Sequence, residues 1–348
     1  MKKSFVISIA LLFVIFSSCK KNNDTPEQQT VYNFPAGWTS YKTTTAFKCI
    51  TLDNSQNVWY AVDGGIEKRV DTTITDYSVA SYLAGSSYGI NTLKFDNSNQ
   101  LWIGATHSVT DSNTVGLIMY DGTAFHPYSL SNSGLHNPDV YSITVDPSNI
   151  KWIGTKNSLV KYDGTSWAFY DSINSSLREF YPVIAASGSV WIGGHHSLKK
   201  FDGTTFTNWD ASNSAFPSAG ISIIDKDNLG NLWFVGNNCV NLFKFDGAAF
   251  TSFAIPSTLQ SAAGQYSALK VDAQNNIWLS GAERLIKFNG AAWTNYDVPS
   301  FIPYGDIHNP FYGQTIPAGF TSMVIKSDST KWLTSYNFPL QSIMKFKE

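Results

Sequence analysis

Histidine and glutamate side chains recur at one position of this sequence, five residues after a tryptophan. His107, His196 and Glu283 occupy that position, and His195 adjoins His196. Imidazole and carboxylate groups bind divalent metals and act as general acids and bases near neutral pH. If the fold places these four side chains around one opening, they form a candidate ligand-binding site.

A second group of candidate ligand-binding residues lies in the longest turn-rich segment, Asp297 to Gly319. It consists of Tyr304, Asp306, His308 and Tyr312. A metal site needs three or four ligands that converge on one point, and loops on opposite sides of a ring are far apart. The alternative is that all these side chains are solvated loop residues without a joint role. The metal content is therefore unknown.

The elements that must position these residues are marked by tryptophans. Seven tryptophans share one local setting, as in QLWIGA, IKWIGT and SVWIGG, and successive ones are 39 to 54 residues apart. Self-similarity at this period predicts a ring or stack of small sheets. The seven are Trp59, Trp102, Trp152, Trp191, Trp233, Trp278 and Trp332.

One repeat, Tyr141 to Tyr170, shows four short strands, which we call a to d. The predicted strands are Val140 to Val145, Lys151 to Gly154, Ser158 to Tyr162 and Ser166 to Tyr170. The letters DPSN predict the a–b turn, and the pair DG predicts a tight c–d hairpin. The DG or NG pair recurs in other repeats and is followed by two aromatic residues, which indicates the same strand d each time.

The two ends of the chain predict how the repeats close. After Trp332 there is a strand c, Gln341 to Phe346, but no strand d; near the start, Ala36 to Tyr41 matches a strand d. An N-terminal strand that completes the last sheet closes a ring and removes exposed strand edges. We therefore predict an all-β fold, a seven-bladed β-propeller over residues 31–348 with four antiparallel strands per blade.

The repeat resembles a known family. Ile143 to Gly164 has the form I-x-x-D-x-x-x-x-x-W-I-G-T followed by L-x-x-Y-D-G, which is similar to the two-component regulator propeller repeat. Such repeats occur in periplasmic sensor regions of bacterial hybrid histidine kinases and in free-standing secreted proteins. The resemblance implies a propeller fold and a sensor-like binding role. The sequence contains no kinase or DNA-binding region, so direct signalling is not implied.

Strand alternation predicts which face of the ring carries the candidate residues. The a–b and c–d turns share one face and are tight, whereas the b–c turns and the long d–a connections share the other, which we call the loop face. Loops held by a rigid scaffold are where binding groups usually lie. We expect a ligand to enter at the loop face, near the central channel.

The N-terminus predicts an envelope protein. Lys2-Lys3 precede a 12-residue apolar run, Phe5 to Phe16, which is too short for a membrane span. Small residues then lead to Cys19, which resembles the lipidation site of a bacterial lipoprotein. We predict a signal peptide over 1–18, a flexible tether over 19–30 and a lipid anchor on Cys19. This places the protein in the bacterial cell envelope, at the outer membrane or the periplasmic side.

The charge composition limits which classes of partner the protein can bind. The 348 residues carry a formal net charge of −2, and 14% of them are charged. No basic face of the kind that binds nucleic acid is indicated, and we expect a monomer. No catalytic motif is present, which favours a binding protein over an enzyme, with a glycan, a peptide or a protein as ligand. The alternatives are a metal-assisted lyase or hydrolase at the channel mouth and a structural scaffold. No cofactor is required by the sequence.

Overall fold

The computed structural model describes residues 31–42, 49–83, 88–107, 113–156, 158–171, 183–186, 188–194, 196–217, 220–236, 240–260, 266–302, 314–335 and 342–348. Every regular element in these ranges is a β-strand. No helix in the same ranges is long and apolar enough to cross a membrane. The predicted signal peptide, the lipidation residue Cys19 and the tether lie outside the described residues.

The strands form seven four-stranded antiparallel sheets and one three-stranded sheet. The described part of the chain begins with β1 (Val31–Asn33) and β2 (Trp38–Lys42). Sheet 1 contains β3 (Ile50–Leu52), β4 (Val58–Val62), β5 (Gly65–Val70) and β6 (Thr73–Ser78). Sheet 2 contains β7 (Tyr88–Phe95), β8 (Leu101–His107), β9 (Val115–Tyr120) and β10 (Phe125–Ser129). Sheet 3 contains β11 (Val140–Val145), β12 (Lys151–Thr155), β13 (Ser158–Tyr162) and β14 (Trp167–Tyr170).

The remaining sheets continue in chain order. Sheet 4 contains β15 (Val183–Ala186), β16 (Ser189–Gly193), β17 (Ser197–Phe201) and β18 (Phe206–Asp210). Sheet 5 contains β19 (Ile223–Lys226), β20 (Leu232–Val235), β21 (Asn241–Phe245) and β22 (Phe250–Ala254). Sheet 6 contains β23 (Tyr266–Val271), β24 (Ile277–Gly281), β25 (Arg284–Phe288) and β26 (Trp293–Tyr296). After β27 (Ser300–Ile302) and β28 (Ile316–Pro317), sheet 7 contains β29 (Phe320–Ile325), β30 (Lys331–Ser335) and β31 (Ser342–Phe346), joined by β2.

The four-strand interpretation of the repeat is confirmed in sheet 3. β11 and β13 have the predicted bounds, and β12 and β14 differ from theirs by one residue. Every residue of β12 is buried, including the lysine and the threonine at its ends, so this strand is covered on both faces. The a–b turn closes because Asp146 Oδ1 accepts hydrogen bonds from the backbone N–H groups of Ser148 (2.9 Å) and Ile150 (3.0 Å). Asn149 takes the left-handed conformation that this turn requires.

Aromatic side chains form the core between neighbouring sheets. Trp102 of strand b stacks on Tyr128 of its own strand d, with ring centroids 5.8 Å apart, and meets the edge of Tyr162 in sheet 3 at 5.7 Å. Trp233 repeats this arrangement with Phe253 and with Phe288 of sheet 6. Each large aromatic buries roughly 150–250 Å². The strand-b tryptophans therefore hold sheet against sheet.

The N-terminal strand β2 pairs with the C-terminal strand β31 in sheet 7. Trp38 lies opposite Phe346 in this pairing, and its indole stacks on Phe320 with centroids 5.6 Å apart. The indole Nε1 donates a 2.9 Å hydrogen bond to the carbonyl of Asp297. The first strands contact one another in the series β3, β7, β11, β15, β19, β23, β29 and again β3. They line a central cavity of about 450 Å³.

A three-stranded sheet lies beside sheet 7 and was not predicted from the sequence. In it, β27 pairs with β1 on one side and with β28 on the other. Phe301 of β27 is buried in the same cluster as Trp38 and Phe320. The segment 297–319 is therefore not an unbroken loop: it contains the paired strands β27 and β28, and β27 also pairs with β1.

Candidate functional site

Three strands end or begin beside His107 at the loop face. His107 is the last residue of β8 and pairs with Tyr88, the first residue of β7. Asp139 directly precedes β11, and Tyr141 is the second residue of that strand. Asp63, in the b–c turn of sheet 1, influences Tyr88 electrostatically. We call Asp63, Tyr88, His107, Asp139 and Tyr141 the His107 cluster.

Hydrogen bonds hold Asp139 in place between sheets 2 and 3. Its Oδ1 accepts a 2.9 Å hydrogen bond from the backbone N–H of His107. Its own N–H donates to Asn137 Oδ1 at 2.9 Å, and its carbonyl accepts from the N–H of Lys156 at 3.2 Å. Asp139 is thus held by hydrogen bonds through its carboxylate and its backbone, and its negative charge acts on the His107 imidazole.

The imidazole of His107 carries unsatisfied hydrogen-bonding capacity. Nδ1 and Nε2 are both buried, and neither has a hydrogen-bond partner among the described residues. Burial lowers the pKa of His107, and the negative charge of Asp139 opposes part of this shift. A neutral imidazole offers one N–H donor and one nitrogen acceptor. Leaving both unpaired away from water costs free energy, so the ring is suited to a ligand with one donor and one acceptor.

Two phenol groups complete the cluster. Burial raises the pKa of Tyr141, and the nearby Asp139 carboxylate raises it further. Burial also raises the pKa of Tyr88, with a contribution from Asp63. Both phenols are therefore protonated at neutral pH. Each phenol can therefore donate and accept a hydrogen bond close to His107.

The other predicted site residues lie elsewhere or outside the described ranges. His196 is exposed in the b–c turn of sheet 4. Glu283 is exposed in the b–c turn of sheet 6, where it takes a left-handed conformation and its N–H donates to the Ala318 carbonyl at 3.3 Å. His107, His196 and Glu283 therefore share a position in the repeat but lie in three different sheets. His195, Tyr304, Asp306, His308 and Tyr312 lie outside the described residues.

A metal centre has no support in the part of the chain that the structure describes. No group of three or more histidine, cysteine, aspartate or glutamate side chains there is placed to hold a metal ion. The neighbours of His107 include the Asp139 carboxylate, which its backbone N–H contacts, and Tyr88, its partner in the strand pairing. One carboxylate beside one imidazole is suited to hydrogen bonding.

The central cavity begins close to the His107 cluster. Asn91, three residues after Tyr88, lines the cavity and donates from Nδ2 to Thr106 Oγ1 at 2.8 Å. The cavity then follows the first strands toward the a–b turns and contains Lys94, Asp225 and Lys270. Sequence reasoning missed these three charged residues. The signal that locates them is their register, because each pairs with the strand-b tryptophan of its sheet.

No protein-family model matches the sequence, and no curated protein matches it. The likeness of the repeat to the two-component regulator propeller repeat therefore rests on the quoted motif. Among solved structures, virginiamycin B lyase from Staphylococcus aureus, as a catalytically inactive variant with quinupristin, is similar with a TM-score of 0.67. The two chains are 17% identical over 91% of this chain and 100% of the lyase.

Two further structures have the same architecture. The extracellular domain of a putative hybrid two-component system from B. thetaiotaomicron is similar with a TM-score of 0.64 and 12% identity, over 90% of this chain and 40% of that one. YCF48 bound to D1 peptide is similar with a TM-score of 0.63 and 12% identity, over 90% of this chain and 98% of that one. At these identities the likeness shows the fold alone, an all-β arrangement of the propeller kind.

Proposed function

We propose that this chain is a seven-bladed β-propeller that binds a peptide or protein segment at its loop face, beside His107. The blade count is supported by the seven four-stranded sheets and by the series of contacts between their first strands. Closure of the ring by the N-terminal strand is supported by the pairing of β2 with β31. Full closure would remove the exposed sheet edges that promote aggregation.

The binding role rests on one observation, the two buried and unpartnered ring nitrogens of His107. A peptide group offers one N–H donor and one carbonyl acceptor, which matches the capacity of a neutral imidazole. Tyr88 and Tyr141 add phenol donors and apolar ring surface, a combination that is frequent at protein interfaces. A propeller with a bound peptide, YCF48, supports this class of ligand for the fold.

The predicted location fits a binding protein of the cell envelope. We propose that residues 1–18 are a signal peptide and that Cys19 carries the lipid anchor. The first described strand, β1, starts at Val31, so residues 19–30 would form the tether between membrane and propeller. Similarity to an extracellular domain of a bacterial two-component system supports an envelope location. Labelling cells with a fatty-acid probe would show incorporation that Cys19→Ser abolishes.

The binding proposal is tested with arrays of envelope-protein peptides and, separately, of glycans, each probed with the full mature chain. Affinities of the peptides that bind are then measured for His107→Ala and His126→Ala. His126 is the matched control, because it lies in β10 beside Asp121, near the c–d turn of the same sheet. We expect His107→Ala to weaken binding at least tenfold and His126→Ala to leave it unchanged. Binding to glycans but not peptides would replace the ligand class; equal binding by both variants would exclude the site.

A lyase or hydrolase is the second candidate. The lowered pKa of His107 leaves a neutral imidazole that can accept a proton, with Asp139 nearby. The similar fold of virginiamycin B lyase supports this possibility for the architecture. Elemental analysis and a hydrolase and lyase substrate panel test it, and turnover that survives His107→Ala would exclude His107 as the base. A scaffold function would instead show a stable protein complex that no substitution in the His107 cluster affects.

A further inference from the structure

One level of the central cavity is formed by a single residue from each of the seven sheets. Each of these residues belongs to a first strand and pairs with the strand-b tryptophan of its sheet, and all seven line the cavity. We call them the channel ring. Its members are Thr51, Lys94, Thr144, Ile184, Asp225, Lys270 and Val324.

The charges of the ring are not balanced. Among the described residues that line the cavity, the charged ones are Lys94, Asp225 and Lys270. Asp225 Oδ2 lies 3.9 Å from Lys270 Nζ and accepts a 3.1 Å hydrogen bond from the backbone N–H of Val271. Asp225 is thereby paired with the neighbouring sheet 6. Lys94 is left as an ammonium without an ion-pair partner among the described residues.

Lys94 faces this pair across the cavity. It belongs to sheet 2, whereas Asp225 and Lys270 belong to sheets 5 and 6. The Lys94 side chain is accessible to solvent inside the cavity, yet protein surrounds it. This enclosure lowers its pKa, and the positive charges of Lys270 and Lys226 lower it further while Asp225 opposes them. The Lys226 ammonium itself donates to the Ala185 carbonyl at 2.6 Å.

Hydroxyl groups flank Lys94 on both sides of the ring. Thr51 of sheet 1 and Thr144 of sheet 3 are its neighbours in the series of first strands. Thr144 Oγ1 accepts a 3.2 Å hydrogen bond from the N–H of Ala185, which leaves its own proton free to be donated toward the cavity. One side of the ring therefore presents an ammonium between two hydroxyls, and the other presents the ammonium of Lys270.

An unpaired ammonium in an enclosed space is unfavourable unless an anion neutralises it. Four of the other six ring positions hold threonine, isoleucine or valine, so the fold does not require a lysine at this position. We propose that the channel ring binds one small oxyanion group, a carboxylate or a phosphate, between Lys94 and Lys270. Asp225 would orient Lys270 and limit the site to one anionic group. This site is separate from the His107 cluster and does not depend on the proposed peptide binding.

Calorimetric titration of the full mature chain with inorganic phosphate and, in a second arm, with acetate tests the proposal. We expect one saturable site per chain for at least one anion, a loss of affinity of at least tenfold in Lys94→Met, and retention in Lys94→Arg. Lys347→Met is the matched control, because Lys347 is exposed and pairs with Asp328 outside the cavity. Comparison of the two arms distinguishes a phosphate group from a carboxylate.

The outcomes that overturn the proposal are equally specific. Absence of binding by either anion, or equal affinity in Lys94→Met, removes the site. If Lys94→Met fails to fold, the other two variants decide. Loss of anion binding in Lys94→Arg or in Lys347→Met would then overturn the proposal. His107→Ala should still bind the anion, so a failure of the peptide proposal leaves this result unaffected and the two proposals can be judged separately.

Discussion

The indole Nε1 of Trp233 donates a 2.9 Å hydrogen bond to Oδ2 of Asp227, the residue that begins the a–b turn six positions earlier. Asp227 Oδ1 accepts from the backbone N–H groups of Leu229 (3.0 Å) and Asn231 (2.9 Å). One buried carboxylate thus closes the turn and fixes the tryptophan that packs between sheets. Four other sheets have the same Trp–Asp hydrogen bond, formed by Trp59, Trp102, Trp152 and Trp278.

The first prediction is that Asp227→Asn destabilises the protein by about 2 kcal/mol. An asparagine can turn its oxygen to the backbone N–H groups, but its amide then faces the Trp233 N–H, so two donors oppose each other. Asp246→Asn is the control. Asp246 closes the c–d turn of sheet 5 with one carboxylate oxygen, and Asn289 closes the same turn in sheet 6 with its amide oxygen, so asparagine can replace aspartate at this position. Urea unfolding of both variants measures the difference; equal losses would show that the indole contact is unimportant.

Sheet 7 lacks the aspartate and leaves its tryptophan unsatisfied. Lys326 occupies the turn position, where its N–H donates to the Thr330 carbonyl at 2.9 Å, as Asp53 does to Asn57 in sheet 1 at 3.1 Å. Trp332 Nε1 is buried without a hydrogen-bond partner among the described residues. An aspartate at this position would supply the missing acceptor.

The second prediction is that the double variant Lys326→Asp with Asp328→Ser gains about 1 kcal/mol of stability, roughly the net value of one hydrogen bond. Asp328 must be replaced because two carboxylates in one turn would repel each other. Serine is the replacement because Ser55 occupies the equivalent position in sheet 1. The gain is measured by urea unfolding. Asp328→Ser alone serves as the control and should not be stabilising. A double variant no more stable than this control would contradict the prediction.

A lysine and an aspartate form a buried ion pair between sheets 2 and 3. Lys151 Nζ lies 3.4 Å from Asp96 Oδ2, with side-chain exposures of 4% and 0%. The ammonium also donates to the Asn149 carbonyl at 2.9 Å and lies over the Trp102 ring, 5.1 Å from its centroid. It therefore compensates a buried carboxylate and contacts the aromatic core at once.

The third prediction is that Lys151→Met destabilises the protein by about 3 kcal/mol, because removal of one partner leaves the other charge buried. Lys161→Met is the control: its ammonium lies 5.7 Å from the Trp152 ring centroid, a contact worth about 0.5–1 kcal/mol at a partly exposed site. Thermal unfolding of both variants tests this difference. A loss in Lys151→Met no larger than in Lys161→Met would mean that the ion pair contributes little.

The local sequence pattern predicts the four strands of each repeat, but it does not predict pairing between strands that are far apart in the chain. Turn letters and alternating apolar residues placed the strands of sheet 3 within one residue, because adjacent hairpins depend on local sequence. The pairing of β1 with β27 joins residues far apart in the chain, and no periodicity indicates such a contact. The Trp–Asp hydrogen bonds have a signal in the sequence, an aspartate six residues before five of the seven tryptophans. The spacing alone does not show that the carboxylate accepts from the indole.

The candidate site was predicted only in part for a similar reason. The loop-face position of His107 follows from strand alternation, but Tyr88, Asp139 and Tyr141 join it from other strands. Lys94, Asp225 and Lys270 occupy one register position, but the residue at this position varies among lysine, aspartate, threonine, isoleucine and valine, so the repeat motif does not indicate it. Packing of the first strands against one another brings these residues to one level of the cavity.

The fourth prediction concerns the pH dependence of stability through His107. Burial lowers the pKa of this histidine in the folded protein, whereas an unfolded histidine has a pKa of about 6.5. The unfolded chain therefore binds more protons between the two values, and stability must fall as the pH decreases from about 7 through this window. His107→Gln should flatten that part of the profile, and His126→Gln should retain it because His107 is still present. Urea unfolding from pH 5 to pH 8 measures the slopes; an unchanged slope in His107→Gln would show that the imidazole is not the group that titrates.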